Sequence, residues 1–66
     1  MRRIIETPIP LEELEEIRQR SEAEVNLVLL GVVMENRIPL NRVAIEGRDE
    51  EIKKFMESLM RARAGG

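Results

Sequence analysis

Few side chains in this chain could carry covalent or proton-transfer chemistry. Its 66 residues include no Cys, no His and no Tyr, and the hydroxyls are Thr7, Ser21 and Ser58. A hydroxyl nucleophile needs a base to take its proton, and no imidazole is present to act as one. Thr7 precedes Pro8 and reads as a turn residue. Ser21 reads as a helix cap, with Glu24 three residues on completing the form of a capping box. Carboxylate pairs are abundant at Glu12/Glu13, Glu15/Glu16 and Glu50/Glu51. General acid–base work needs a carboxylate in a dry pocket, whereas these fall on the outer faces of expected helices and read as solvated surface. Such a face offers magnesium or calcium only an unspecific site, and a tight transition-metal site without Cys or His lacks its usual ligands. The expectation is a non-enzyme with no catalytic, cofactor-binding or metal-binding residues.

Composition narrows the classes further. Eleven basic residues stand against 13 acidic ones, for a net charge of −2. Arg2, Arg3, Arg61 and Arg63 at the ends, with Arg37, Arg42 and Arg48, are hints of nucleic-acid binding. The acidic balance and a single aromatic, Phe55 on an expected packing stripe, argue against it, because bases have no platform to stack on. The longest apolar stretch, Leu27 to Met34, is too short to span a bilayer as a helix. "MRRIIETPIP" has no apolar run of signal-peptide length. The expected setting is cytoplasmic, and the Glu- and Arg-rich usage is compatible with a thermophile.

Sixty-six residues make one small domain, 1–66. One core of that size yields only about 3–5 kcal/mol of net stability. With disulfides excluded, a partner subunit is the remaining means of support.

The elements follow from periodicity. Arg2 to Glu6 is short and β-branched and reads as a strand that Pro8 and Pro10 end. Pro10 can open a helix, where its missing N–H costs nothing. Leu11, Leu14 and Ile17 then recur at helical spacing, with Glu12, Glu13, Glu15 and Glu16 opposite and Arg18 and Arg20 late, as the helix dipole favours. Arg48 to Arg63 is the second helix, with Ile52, Phe55, Met56, Leu59 and Met60 as its stripe. Arg42 to Gly47 alternates as a strand, with Val43 and Ile45 on one side.

Val25 to Met34 is ambiguous. The Ser21/Glu24 pattern would start a helix here, but Val25, Val28, Val32, Val33 and Gly31 favour a strand. An all-round apolar helix would also need burial on every side, so a strand is expected. Glu35 to Asn41 is then the hairpin loop, with Pro39 as its breaker. The order is β-α-β-β-α: an α+β, ferredoxin-like plan without its last strand, with both helices on one sheet face.

"AEVNLVLLGVVMENRIPL" and "RVAIEGRDEEIKKFMESL" resemble the NIL domain, a small ferredoxin-like module of methionine-uptake ATPases and archaeal proteins. Val25-Asn26, Pro39-Leu40 and Gly47 with Glu50-Glu51-Ile52 follow that family's order. The family's closing strand is missing, and Asn41 replaces its glycine after the proline. The resemblance implies an amino-acid-sensing or accessory role in a dimer, as in related ACT-type regulatory domains. The ending Ala64-Gly65-Gly66 shares its Gly-Gly with sulfur carriers and ubiquitin-like modifiers. In those families the pair follows a strand and an extended tail; here it follows a helix directly and reads as a helix stop.

The expected function is a regulatory or accessory domain that binds a small, amino-acid-like ligand or docks on a larger enzyme, and acts as a homo-oligomer. The alternative is a protein–protein adaptor with no ligand of its own. On a strand, Asn26, Val28, Leu30, Val32 and Met34 share one face, and the polar Asn26 marks it as the less buried one. Two helices cover only the other face, so Val28, Leu30, Val32 and Met34 are the expected interface between subunits.

Overall fold

The computed structural model describes residues 1–64, so the Gly65-Gly66 reading lies outside the described residues. Five elements run in the order β1 (Arg2–Thr7), α1 (Leu11–Ser21), β2 (Val25–Glu35), β3 (Ile38–Gly47) and α2 (Asp49–Ala64). The fold is α+β. Its three strands form an antiparallel sheet in the order β1-β3-β2.

The local chemistry explains the boundaries. Pro10 holds an extended conformation (φ −62°, ψ 151°), and its carbonyl accepts from the Leu14 N–H at 3.1 Å to start α1. Glu12 and Glu13 fall in the first turn of α1 and Arg18 and Arg20 in its last, each sign suiting its end of the dipole. Glu22, at φ 58°, closes the helix in the left-handed conformation. Ser21 is the last residue of α1, not the first cap of a second helix. Its Oγ donates to the Arg18 carbonyl at 2.9 Å and accepts from the Ala23 N–H at 3.3 Å. A capping box here would need a helix after it, and β2 follows instead. Thr7 is the turn residue expected: buried, its Oγ1 accepts the Ile9 N–H at 3.2 Å.

Leu14 and Ile17 of α1 share one core with Ile52, Phe55 and Leu59 of α2 and with Val25, Val43 and Ile45 of the sheet. Both helices therefore lie on the same side. Leu14, Val43, Ile45 and Phe55 are fully buried there. Ala44, between Val43 and Ile45, points to the opposite side. It is buried even so, between its cross-strand partners Ile4 and Val28.

The hairpin corrects two sequence expectations. The loop is not Glu35 to Asn41 but two residues, Asn36 (φ 50°) and Arg37 (φ 67°), between the paired Glu35 and Ile38. Positive φ at both positions is the tight turn whose twist suits a hairpin. Pro39 lies inside β3 opposite Met34. The pair after a two-residue turn is not hydrogen-bonded, so the missing N–H of Pro39 would have pointed away from β2, at an edge with no neighbour.

The second correction concerns faces. Leu29 pairs with Val43 and Gly31 with Arg42, which leaves Leu30 without a partner in a β-bulge. Gly31 sits at φ 157°, a value residues with a Cβ rarely adopt. One extra residue inverts the alternation. Val28 pairs with Ala44 on the helix-free side, whereas Val32 and Met34 pair with Asn41 and Pro39 on the helix side. Val28, Leu30, Val32 and Met34 therefore do not form one row on one face.

Candidate functional site

Two regions of the surface are unusual. The first is the distal half of the hairpin. β1 stops pairing at Thr7↔Asn41, so among the described residues the strands β2 and β3 have only each other beyond Asn41. The helices also stop short, and Leu29, although opposite the buried Val43, is 46% exposed. Past it the arm carries Leu30, Val32 (59% exposed), Met34 (67%) and Ile38 (54%). A two-stranded ribbon is at best marginally stable alone in water, and this one is apolar on both sides.

All four sequence-predicted interface residues are exposed, but the bulge distributes them around the arm. Val28 sits at its base on the helix-free side, Leu30 on the bulge, and Val32 and Met34 on the helix side. Ile38 joins them, a residue the sequence reading had placed in a loop. The signal that could have found this was Gly31, since a glycine inside a strand pattern often marks a bulge.

The helix-free side nearer the base is largely polar. Cross-strand partners Arg2 and Glu46 approach to 3.5 Å, and Arg42 and Glu6 to 4.0 Å, on either side of the apolar line Ile4, Ala44, Val28. Exposed pairs of this kind contribute little stability, about 0–1 kcal/mol each. Ile4 and Val28 between them are partly open to solvent, less so than Val32, Met34 and Ile38 on the arm.

The second region is the outer edge of β1. A trough of about 670 Å³ runs between β1 and α2, lined by Ile52, Met56 and Met60 with Arg2, Arg3, Lys53, Asp49 and Glu57 around them. It continues into a smaller recess of about 310 Å³ at Ile5, Thr7, Ile9 and Leu59, which shares Met56 and Met60. Among the described residues no strand pairs with this edge of β1.

The candidate chemical groups sit elsewhere or have structural partners. Glu12, Glu13, Glu16 and Glu50 are exposed. Glu15 binds Arg18 at 2.8 Å. Glu51 departs from the solvated-surface reading: its side chain is only 15% exposed, and its Oε1 accepts the Glu24 N–H at 2.9 Å. It thereby ties the first turn of α2 to the start of β2. Among the described residues no group of three or more His, Cys, Asp or Glu could hold a metal ion, and no helix is long and apolar enough to cross a membrane.

A family model described as an uncharacterised protein matches residues 1–66. No curated protein and no solved structure matches the chain.

Proposed function

We propose that this chain, which belongs to that uncharacterised family, is a non-enzymatic regulatory or accessory domain of ferredoxin-like plan that works as a homo-oligomer. The observation that carries this reading is the apolar arm. Val32, Met34 and Ile38 are each more than half exposed on a ribbon with no third strand among the described residues, and monomers seldom leave such a surface open. A second copy of the chain is the simplest cover. The strand order β1-β3-β2 with both helices on one side supports the ferredoxin-like assignment, with the place beside β1 standing where a fourth strand would lie.

The ligand part of the reading rests on the β1–α2 trough and on the resemblance to NIL and ACT-type domains. The trough combines an apolar floor with cations and carboxylates around it, a combination suited to an amino-acid-like zwitterion with an apolar side chain. The second reading is an adaptor without a ligand. The flexible Met56 and Met60 that line both recesses favour it, because methionine-rich surfaces adapt to protein partners.

Thermal shift with amino acids and nucleotides separates the two. A ligand bound only by the native state at 100 times its Kd adds about 2.7 kcal/mol. No shift from any of them would favour the adaptor. Self-association itself is tested with Leu30→Glu, which places a charge on the arm and is expected to lower the mass of the particle. An unchanged mass would count against the arm as the contact.

A further inference from the structure

We propose that the open edge of β1 pairs antiparallel with β1 of a second copy about a two-fold axis through Ile4, joining two three-stranded sheets into one of six strands. The proposal rests on the self-association reading above and names a contact separate from the arm.

The hydrogen-bonding phase of β1 comes first. The Gly47 N–H donates to the Met1 carbonyl at 3.1 Å, and the register continues through Arg3↔Ile45, Ile5↔Val43 and Thr7↔Asn41. In an antiparallel ladder the bonded pairs alternate. The N–H and C=O groups of Arg2, Ile4 and Glu6 therefore turn toward the open edge.

The charges then select the register. A two-fold pairing centred on Ile4 places Ile4 opposite Ile4 of the second copy and Arg2 opposite Glu6 of the second copy, in both directions. All three outward-facing residues are then hydrogen-bonded. Centring the pairing on Arg3 or Ile5 leaves one of the three without a partner. Centring it on Arg2 or Glu6 sets like charges directly opposite, which is destabilising. In the favoured register the pairs Arg2–Glu46 and Glu6–Arg42 extend into a row of alternating charge across the join.

The helix layer agrees. The same axis sets the two α2 helices antiparallel over the join, with Met56 and Met60, which line the trough, turned toward the other copy. Lys53 and Glu57, one turn apart on the same stripe, offer opposite charges to each other's copies. The other free edge is less suited to such pairing. The bulge at Leu30 interrupts β2, and Pro39 removes a donor from β3 beyond Thr7.

The chain has no cysteine, so Ile4→Cys introduces a single thiol at a half-exposed position. A short bis-maleimide is expected to link the two copies of this full-length variant. Asn26→Cys, exposed on the same side of the sheet and outside both β1 and the arm, is the control, because its two copies would lie at least five strand spacings apart, ~24 Å. Arg2→Glu and Glu6→Arg are each expected to raise the dimer Kd about tenfold or more. An equimolar mixture of the two should regain tight pairing, since every facing pair is again of opposite sign; a merely local effect of either substitution would not be rescued by mixing. An oligomer in which Ile4→Cys links no faster than Asn26→Cys, a mixture no tighter than its parts, or linkage only to a different protein would overturn the β1 contact and leave self-association standing. A monomeric wild-type chain would overturn both.

Discussion

The base of this molecule and its arm are built from the same two strands and obey different rules. At the base, β3 lies between β1 and β2 under two helices, and Val43, Ile45, Leu14 and Phe55 are shut off from water. Farther along the same β2 and β3, among the described residues, no third strand and no helix cover them, and Val32, Met34 and Ile38 face solvent. The amino-acid types are alike in both places. The difference lies in what is packed against them, so apolar composition indicates how much surface must be covered without saying whether the chain itself covers it.

Substitutions can break or sharpen this contrast. The largest effect is expected at Phe55→Ala, a cavity in the base costing about 3–5 kcal/mol. That is about the whole stability of a domain this small, so urea unfolding should find the variant largely unfolded. Met34→Ser on the arm should change the unfolding free energy of the isolated subunit by less than ~0.5 kcal/mol while weakening self-association in sedimentation. Equal losses of subunit stability at the two sites would erase the distinction between base and arm.

The two strand glycines give the next contrast. A Cβ on Gly47 would lie 3.0 Å from the Glu24 carbonyl oxygen and 3.1 Å from Val25 Cγ1, whereas one on Gly31 would meet nothing within 4 Å. Both positions have positive φ and carry a conformational penalty of roughly 1–3 kcal/mol for alanine. Gly47→Ala should therefore lower the thermal midpoint more than Gly31→Ala; the reverse order would show the bulge to be the more constrained site. Ser21→Ala removes the hydroxyl that closes α1 and is expected to cost about 1 kcal/mol, with no further change in any activity of the assembled protein. The smallest effect is a gain. Arg37→Gly relieves a positive φ in the arm's turn and should stabilise the hairpin by about 0.5–1 kcal/mol, measurable as a higher unfolding midpoint.

Much of the base was legible in the sequence. The 3.6-residue stripes of α1 and α2 and the β-branched character of Arg2 to Glu6 and of Val25 to Met34 placed four of the five elements near their observed bounds. The arm was harder to read for three physical reasons. Pro39 looked like a breaker, yet a proline fits a strand where its nitrogen faces an empty edge. Asn36-Arg37 lacks the glycine that usually announces a two-residue turn. Gly31 inverted the alternation on which the face assignment of Val32 and Met34 depended. Glu51 escaped because a carboxylate in the first turn of a helix reads as solvated until a backbone N–H from another element reaches it.

The central claim is that this chain does not stand alone. Light scattering of the wild-type protein at micromolar concentration tests it most directly. A monomer has a mass of 7.6 kDa. The account expects a particle of at least twice that mass, made only of this chain. A stable, soluble 7.6 kDa species with no tendency to associate would contradict it.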